Sequence, residues 1–230
     1  AAPGVGEHVA LPPVIELSEA QRRGVREFLR IAGIVDEIGA RFEAAGEEIA
    51  VVGGSVRDAL LGRLGKDLDL TTSARPEVTE RLVRDWADAV WDVGKAYGTI
   101  GLRKGDWTIE ITTYRADVYD PASRKPDVEY GSSLREDLVR RDFTINAMAM
   151  TLPGKRFVDP FGGLEDLAAE VIRTPGKPED SFADDPLRMM RAARFASQLG
   201  FRVAPEVVEA MSAMTDRIQI VPAERIQDEL

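Results

Sequence analysis

The segment from Glu48 to Ser73 constrains the fold more than any other part of the chain. Its sequence, EIAVVGGSVRDALLGRLGKDLDLTTS, places a short apolar run before Gly53 and Gly54, then a helical pattern, then an alternating stretch that contains Asp67 and Asp69. The apolar run and the alternating stretch predict strands, and the segment between them predicts a two-turn helix. This order of elements indicates a mixed α/β domain.

The remaining patterns divide the chain at about residue 173. Helices and strands alternate before it, and a Pro/Gly-rich linker over 173–181 is followed only by helical patterns, the last without a stop signal. We therefore predict an α/β domain with an N-terminal arm over 1–173 and an all-α domain over 174–230. The predicted helices cover 18–45, 56–63, 75–89, 134–150, 162–171, 184–200, 205–218 and 222–230. The predicted strands cover 48–54, 66–72, two or three segments within 89–115 around a turn at 104–106, and 155–160, and a mobile loop is predicted over 116–133.

The composition excludes several kinds of chemistry. The chain has 230 residues and no cysteine, and its one histidine, His8, lies in the N-terminal arm. Disulfides, thiolate zinc sites, a Ser–His pair and multi-histidine metal sites are therefore excluded, and any metal must be bound by carboxylates, which favours Mg²⁺. No apolar run approaches the about 18 residues of a membrane helix. We expect a cytoplasmic protein without a membrane partner.

Asp67 and Asp69 are the first candidates for a catalytic site. Residues two apart on a strand point to the same face, and two parallel carboxylates repel unless a cation lies between them. Such pairs hold divalent ions in phosphoryl and nucleotidyl transfer, although a solvent-facing strand is the alternative interpretation. Glu110 would be a third carboxylate if its strand lies beside that of Asp67, and is otherwise an exposed strand residue.

Gly53 and Gly54 are candidates for a phosphate site. They lie between a strand and a helix start, where backbone N–H groups and the helix dipole favour an anion, and Arg57 follows by one helical turn. An ordinary tight turn is the alternative. The spacing matches neither the dinucleotide-binding GxGxxG pattern nor the P-loop.

An arginine row lies on the predicted helix 184–200. Arg188, Arg191 and Arg194 recur at three-residue steps, and Asp185 precedes Arg188 by one such step. One acceptor and one planar donor fork can imitate the edge of a base, whereas a solvated helix face is the alternative.

A second polar set consists of Arg141, Asp142 and Asn146, whose charge and hydrogen-bonding groups suit a ribose. The net charge of −10 argues weakly against a nucleic-acid partner. The arrangement of charge on one surface matters more than the total, so the clustered arginines keep an RNA partner open.

Six stretches together resemble the class II CCA-adding enzyme and bacterial poly(A) polymerase family. They occur in the order of that family and cover the chain from Val51 onward. They are GGSVRDALLGRLGKDLDL, IEITTYR, RRDFTINAMAM, DPFGGLEDL, DDPLRMMRAARF and ERIQDEL. The resemblance implies a head domain of nucleotidyltransferase fold, of the DNA polymerase β type, followed by a helical neck. The family usually has glutamate at the position of Asp184, and the aspartate carries the same charge.

The resemblance also implies roles in the head domain. Asp67 and Asp69 would bind two Mg²⁺ ions, with Glu110 as the third carboxylate. Gly54 and Arg57 would hold the triphosphate of the incoming nucleotide.

Further along the chain, Arg141 and Asp142 would contact the nucleotide and its ribose. Asp185 and Arg188 would form a protein template that recognises the Watson–Crick edge of CTP or ATP, with the next two arginines of that helix behind them. The stretch DPFGGLEDL would join head and neck, and ERIQDEL would brace the template helix.

Within the family, the sequence favours addition of CCA to the 3′ end of tRNA from CTP and ATP, with release of pyrophosphate. The stretch VGKAYGTIGL lacks the basic G-[RK]-[RK]-F pattern typical of poly(A) polymerases, and the loop at 116–133 is not shortened as in CC-adding members. A poly(A) polymerase or a CC- or A-adding relative is the alternative within the class. A catalytically silent RNA- or nucleotide-binding module is the alternative of another class, and the glycine spacing disfavours a dinucleotide-dependent oxidoreductase.

Overall fold

The computed structural model describes residues 17–94, 98–117, 128–131 and 133–230. The predicted role of His8 and most of the loop predicted over 116–133 therefore lie outside the described residues. The two ends of that loop are strands rather than loop, since residues 115–117 and 128–130 pair in an antiparallel ribbon. None of the described helices is long and apolar enough to span a bilayer.

Eleven strands lie within the described residues. In chain order they are β1 Ile49–Val52, β2 Asp67–Thr72, β3 Ala89–Gly94, β4 Thr99–Lys104, β5 Trp107–Thr113, β6 Arg115–Asp117, β7 Val128–Tyr130, β8 Ala149–Leu152, β9 Phe157–Val158, β10 Val171–Ile172 and β11 Arg202–Val203. Seven of them form one sheet in the order β3-β4-β5-β2-β1-β8-β9. The β2–β5 pair is parallel and the other pairs of this sheet are antiparallel. The sequence prediction of a mixed α/β domain is confirmed.

The described residues also form ten helices. They are α1 Glu19–Arg30, α2 Ala32–Ala44, α3 Gly54–Leu60, α4 Pro76–Val83, α5 Leu134–Val139, α6 Gly163–Ala168, α7 Pro178–Asp184, α8 Leu187–Leu199, α9 Pro205–Ala213 and α10 Ala223–Asp228, with 3₁₀ turns at Thr144–Asn146 and Thr215–Ile220.

Strands β2 and β5 bury one face and leave part of the other accessible. Leu68, Leu70, Ile109 and Ile111 point into the main core, where α2 and α4 pack. The intervening residues point to the opposite face, which we call the open face, and β2 accordingly alternates exposed and buried residues up to Leu70. This alternation is what a half-buried strand requires.

Several predicted helices are shorter than the sequence patterns indicated. The helix predicted over 18–45 is interrupted at the buried Ile31, whose backbone leaves the helical region and separates α1 from α2. The helix predicted over 134–150 was wrong beyond Val139. Phe143 is extended because the Asp142 carboxylate accepts its backbone N–H, and a 3₁₀ turn and β8 follow.

The region after residue 173 also differs from the prediction. Part of the predicted linker is helical, since Pro178 begins α7 in the first-turn position that proline favours. The helix predicted over 184–200 is broken at Asp185, which is extended because Pro186 disfavours helical geometry in the residue before it. The segment is not all-α, because β11 pairs in parallel with β10 across the predicted boundary.

The main core is continuous across residue 173. Ile172, Ala192, Phe195 and Phe201 belong to the same buried cluster as the central strands. The division into two domains at residue 173 stays a prediction. Residues from both sides of this position pack in one core.

Candidate active site

The two aspartates predicted as metal ligands lie on the open face of β2, in register with Glu110. Asp69 is directly opposite Glu110 across the parallel β2–β5 pair, and Asp67 is opposite Thr108. The hydroxyl of Ser55, in the first turn of α3, accepts the backbone N–H of Asp69 at 2.9 Å. The glycine turn and the carboxylate strand are thereby fixed to each other.

The electrostatics of this cluster favour a bound cation. Burial raises the pKa of Asp69, the Arg141 guanidinium opposes that rise, and the negative charge of Asp67 adds to it. The pKa of Glu110 is raised by burial and then by Asp69 and Asp67. Within the described residues, none of the three carboxylates forms an ion pair with a lysine or arginine.

This donor set fits Mg²⁺. No group of three or more Asp, Glu or His side chains in the described ranges is arranged as a complete metal site. Mg²⁺ usually takes only one or two protein carboxylates and completes its shell with waters and substrate phosphates. Asp67 and Asp69 match this small protein share of a Mg²⁺ coordination shell.

The glycine turn brings the backbone close to an arginine. Gly53 has a φ of +66°, and a Cβ at this position would lie 2.8 Å from Nη1 of Arg141. That guanidinium also donates to Asp137 at 3.0 Å. Gly53 is thus required both by its backbone conformation and by the position of Arg141.

A buried chain of polar contacts joins α3 to α8. Arg57 Nη1 donates to the side-chain oxygen of Asn146 at 2.7 Å, and the Asn146 amide nitrogen donates to Asp142 at 3.0 Å. The other carboxylate oxygen of Asp142 accepts from Nε and Nη2 of Arg191 at 2.9 and 2.7 Å. The amide of Asn146 is occupied by these two partners, so it orients Arg57 and Asp142.

The predicted base-recognising pair lies at the start of α8. The Asp185 carboxylate accepts from Arg225 Nη2 at 2.8 Å, and Arg188 donates to Ser181 Oγ at 2.9 Å and to the carbonyl oxygen of Arg140 at 2.6 Å. The break in the helix lets Asp185 precede Arg188 without sharing its helix. Both side chains line the same cavity.

Two residues that the sequence did not single out organise the arginines. The Phe195 ring lies beneath the guanidinium groups of Arg57, Arg191 and Arg194, at 5.2, 5.4 and 4.9 Å from its centroid. Glu229 lies 3.2 Å from Arg191 and 2.7 Å from Arg194. Although burial lowers the pKa of Arg191, the carboxylates of Asp142 and Glu229 raise it above its usual value.

Signals for both residues were present in the sequence. Phe195 follows the arginine row directly, and Glu229 lies in the stretch ERIQDEL that the resemblance implied as a brace.

These residues enclose one cleft with a cavity volume of about 660 Å³. Its lining includes the predicted residues Gly53, Gly54, Arg57, Asp69, Arg141, Asp142, Asn146, Asp185, Arg188, Arg191 and Arg194. Asp67 and Glu110 do not line it. Arginines outnumber aspartates in the lining by eight to four, whereas the whole chain carries a net charge of −10. The lining is therefore rich in positive charge, which suits an anionic ligand.

Comparison with known families identifies the class of this fold. The model of the poly A polymerase head domain matches residues 49–173, and a model described as a probable RNA- and SrmB-binding site of polymerase A matches residues 200–230. The fold is that of a nucleotidyltransferase head followed by a mainly helical region, which confirms the predicted fold class. Since the first match covers more than half of the chain, the chain belongs to the poly(A) polymerase head domain family.

Individual relatives are named CCA-adding enzymes. The chain is 48% identical to the Bacillus subtilis CCA-adding enzyme over 182 residues, which cover 79% of this chain and 45% of that protein. It is 41% identical to the Enterococcus faecalis CCA-adding enzyme over 201 residues, 87% of this chain and 47% of that one. The chain thus spans about half the length of these relatives.

Solved structures agree in fold. The Bacillus stearothermophilus CCA-adding enzyme in complex with CTP superposes with a TM-score of 0.75 at 38% identity, covering 88% of this chain and 47% of that one. A tRNA nucleotidyltransferase complexed with a primer tRNA and an incoming ATP analog superposes with a TM-score of 0.70 at 33% identity, covering 84% and 54%.

Proposed function

We propose that this chain carries the catalytic half of a CCA-adding enzyme, which adds C, C and A to the 3′ end of tRNA from CTP and ATP. The observation that supports this most is the cleft itself. It combines a carboxylate strand, a glycine turn and a surplus of arginines in one cavity. A nucleoside triphosphate needs a metal-binding edge and a cationic wall, and these features supply both.

The residues around the cleft bind and orient the nucleotide. Gly53 and Gly54 let the triphosphate approach the backbone, and Arg57 neutralises its charge. Asp142, held by Asn146 and Arg191, faces the ribose.

Base recognition belongs to Asp185 and Arg188. In this state both are held by protein partners, so a bound CTP or ATP must exchange with the contacts to Arg225 and Ser181. The side chains of Asp185 and Arg188 have polar partners before and after that exchange, which lowers its cost.

Asp67 and Asp69 would hold two Mg²⁺ ions, which would favour ionisation of the RNA 3′-hydroxyl and neutralise the departing charge. The 3′-hydroxyl loses its proton to solvent, its oxygen forms a bond to the α-phosphorus, and the bond between that phosphorus and the α,β-bridging oxygen breaks to release pyrophosphate. The third carboxylate, Glu110, lies opposite Asp69 and increases the negative charge at this edge. A cytoplasmic location stays a prediction.

Nucleotide incorporation tests this function. The chain is incubated with Mg²⁺ and tRNA that lacks its 3′-terminal CCA, with CTP alone, ATP alone, and both together. We expect two C additions, then one A and a stop. Asp67→Ala lowers incorporation about a thousandfold, because several kcal/mol of transition-state charge stabilisation are lost. The matched control is Asp106→Ala. Asp106 lies in the turn between β4 and β5, and its exposed carboxylate forms an ion pair with Lys66.

The other outcomes identify the alternatives. Long A tails from ATP alone would indicate a poly(A) polymerase, and C-only or A-only products a partial CCA enzyme. Absence of incorporation by this chain and by a longer protein that contains it, with Asp67→Ala no different, would overturn the proposal in favour of a silent binding module.

A further inference from the structure

The open face of the sheet continues from the carboxylates to an exposed tryptophan at the sheet edge. Across neighbouring strands, Asp69 is opposite Glu110, Glu110 is opposite Gly101, and Gly101 is opposite Trp91 on β3. Opposed residues point to the same face, so these four form one row. With strands about 4.8 Å apart, three intervals separate Trp91 from Asp69 by about 14 Å.

The indole lies across β4 because Gly101 has no side chain. A Cβ at Gly101 would lie 2.4 Å from Nε1 of Trp91 and 2.5 Å from a methyl group of Val93. Glycine in a strand interior costs stability and marks a position where another group approaches the backbone closely. The row therefore includes a seat for a flat aromatic ring on the open face.

This aromatic surface is accessible. Trp91 is 40% exposed and Val93 is 46% exposed, although both are large apolar side chains on a sheet. Arg103, two residues beyond Gly101 on the same face, is also exposed. An apolar ring beside a cation is the combination that binds unpaired nucleotides by stacking and by charge.

The surface is continuous with the nucleotide cleft. Thr112 and Arg115 line the cleft, and both contact Thr99: the two threonine hydroxyls are 3.0 Å apart, and Arg115 Nη2 donates to Thr99 Oγ1 at 3.3 Å. Thr99 pairs with the end of β3, just beyond Val93. The cleft lining and the surface around Trp91 are therefore joined through the buried Thr99 on one face of the sheet.

We propose that Trp91, seated on Gly101, is a stacking platform for the unpaired 3′-terminal nucleotides of the RNA primer. The proposal rests on the proposed function, because it places the primer on the same face as the carboxylates. Trp91 holds one of the last unpaired bases, Arg103 faces the adjacent phosphate, and the terminal 3′-hydroxyl reaches Asp69.

Binding of two RNA hairpins tests the platform. The two hairpins share one stem; one carries three unpaired 3′ nucleotides and the other is blunt. Their Kd values are measured by fluorescence anisotropy at one fixed salt concentration, because phosphate contacts make affinity salt-dependent. Trp91→Ala weakens binding of the tailed hairpin roughly tenfold and leaves the blunt hairpin unchanged, and Trp91→Phe keeps most of the affinity. The matched control is Phe157→Ala, because Phe157 is 39% exposed on β9 at the opposite sheet edge.

Two results would overturn the proposal. One is an equal Kd of wild type and Trp91→Ala for the tailed hairpin. The other is that Trp91→Ala weakens binding of both hairpins equally, which would assign the surface to the duplex. Incorporation of CMP is measured on the same samples. Loss of tail binding in Trp91→Ala without any incorporation by the wild type would reject the proposed function and leave the RNA platform standing. If the wild type incorporates CMP and Trp91→Ala leaves the KM for the hairpin unchanged, the proposed function stands and the stacking platform is rejected.

Discussion

Gly53 is the residue at which backbone conformation and the cleft depend most directly on each other. Gly53→Ala forces an L side chain to a φ of +66° and into the Arg141 guanidinium. We expect a loss of about 1–3 kcal/mol in the free energy of unfolding, together with weaker CTP binding as Arg141 is displaced. Urea unfolding and CTP titration measure the two effects.

Gly54→Ala is the control for that substitution. Gly54 begins α3, and its Cβ would lie 3.4 Å from Arg57 Nη2, a distance that a small side-chain shift accommodates. We expect a change within about 1 kcal/mol. Equal losses in the two variants would show that crowding at Arg141 is not the cause.

We predict that the charge of Asp69 lowers the stability of the folded protein, although the proposed catalysis depends on it. Its native pKa is raised by burial and by Asp67, so the native carboxyl keeps its proton to higher pH than the unfolded one. The native state therefore loses stability as pH rises from the ordinary value of 3.8 through the native pKa. At pH 7 without divalent ions, Asp69→Asn should melt slightly above the wild type, because Asp69 is exposed on β2 and solvent screens much of the effect. It should also lose the rise in Tm that Mg²⁺ gives the wild type.

Asp106→Asn is the opposite-sign control in that melting experiment. The hydrogen bond from Lys66 lowers the pKa of Asp106, so neutralising this carboxyl should give no gain in Tm. A Tm for Asp69→Asn at or below that of wild type at pH 7 would contradict the electrostatic account.

At the scale of elements, α8 is held between the α/β region and α10. Arg191 donates to Asp142 on one side and to Glu229 on the other, and Glu229 also neutralises Arg194. The side chain of Glu229 is only 8% exposed. The position of the base-recognising helix thus depends on carboxylates from both neighbours.

Glu229→Gln tests this dependence. The amide keeps the shape and removes the charge, so we expect a loss of about 1–3 kcal/mol in the free energy of unfolding, measured by urea denaturation. Glu224→Gln is the matched control, because Glu224 lies in α10, which ends directly before Glu229, and is exposed. Coincident denaturation midpoints for the two variants would rule out Glu229 as a brace.

The breaks within the helices follow from contacts that a local pattern does not contain. The residues from 134 to 150 have helical spacing, but the Asp142 carboxylate accepts the backbone N–H of the extended Phe143 and is itself held by Arg191, 49 residues later. Only the break before Pro186 had a local cause that the sequence displayed.

For the whole molecule, the sequence predicted the order of elements and most of the cleft. The sequence could group Asp67, Asp69 and Glu110 because the alternation of side chains along a strand is a local property. Only one assumption about tertiary structure was needed, namely that the two strands are neighbours. The seat of Trp91 on Gly101 could not be predicted, since it depends on the register between β3 and β4. The roles of Phe195 and Glu229 depend on tertiary contacts in the same way.

The pairing of β10 with β11 has a consequence for chimeras between relatives. Because Ile172 and Phe201 share one buried cluster and β10 pairs in parallel with β11, which follows Phe201 directly, a graft at residue 173 would separate two halves of a single packing unit. An exchange of nucleotide preference between family members is better made by moving β10, α8 and β11 together. Evolution faces the same restriction, so substitutions at this seam are expected to be inherited as a set.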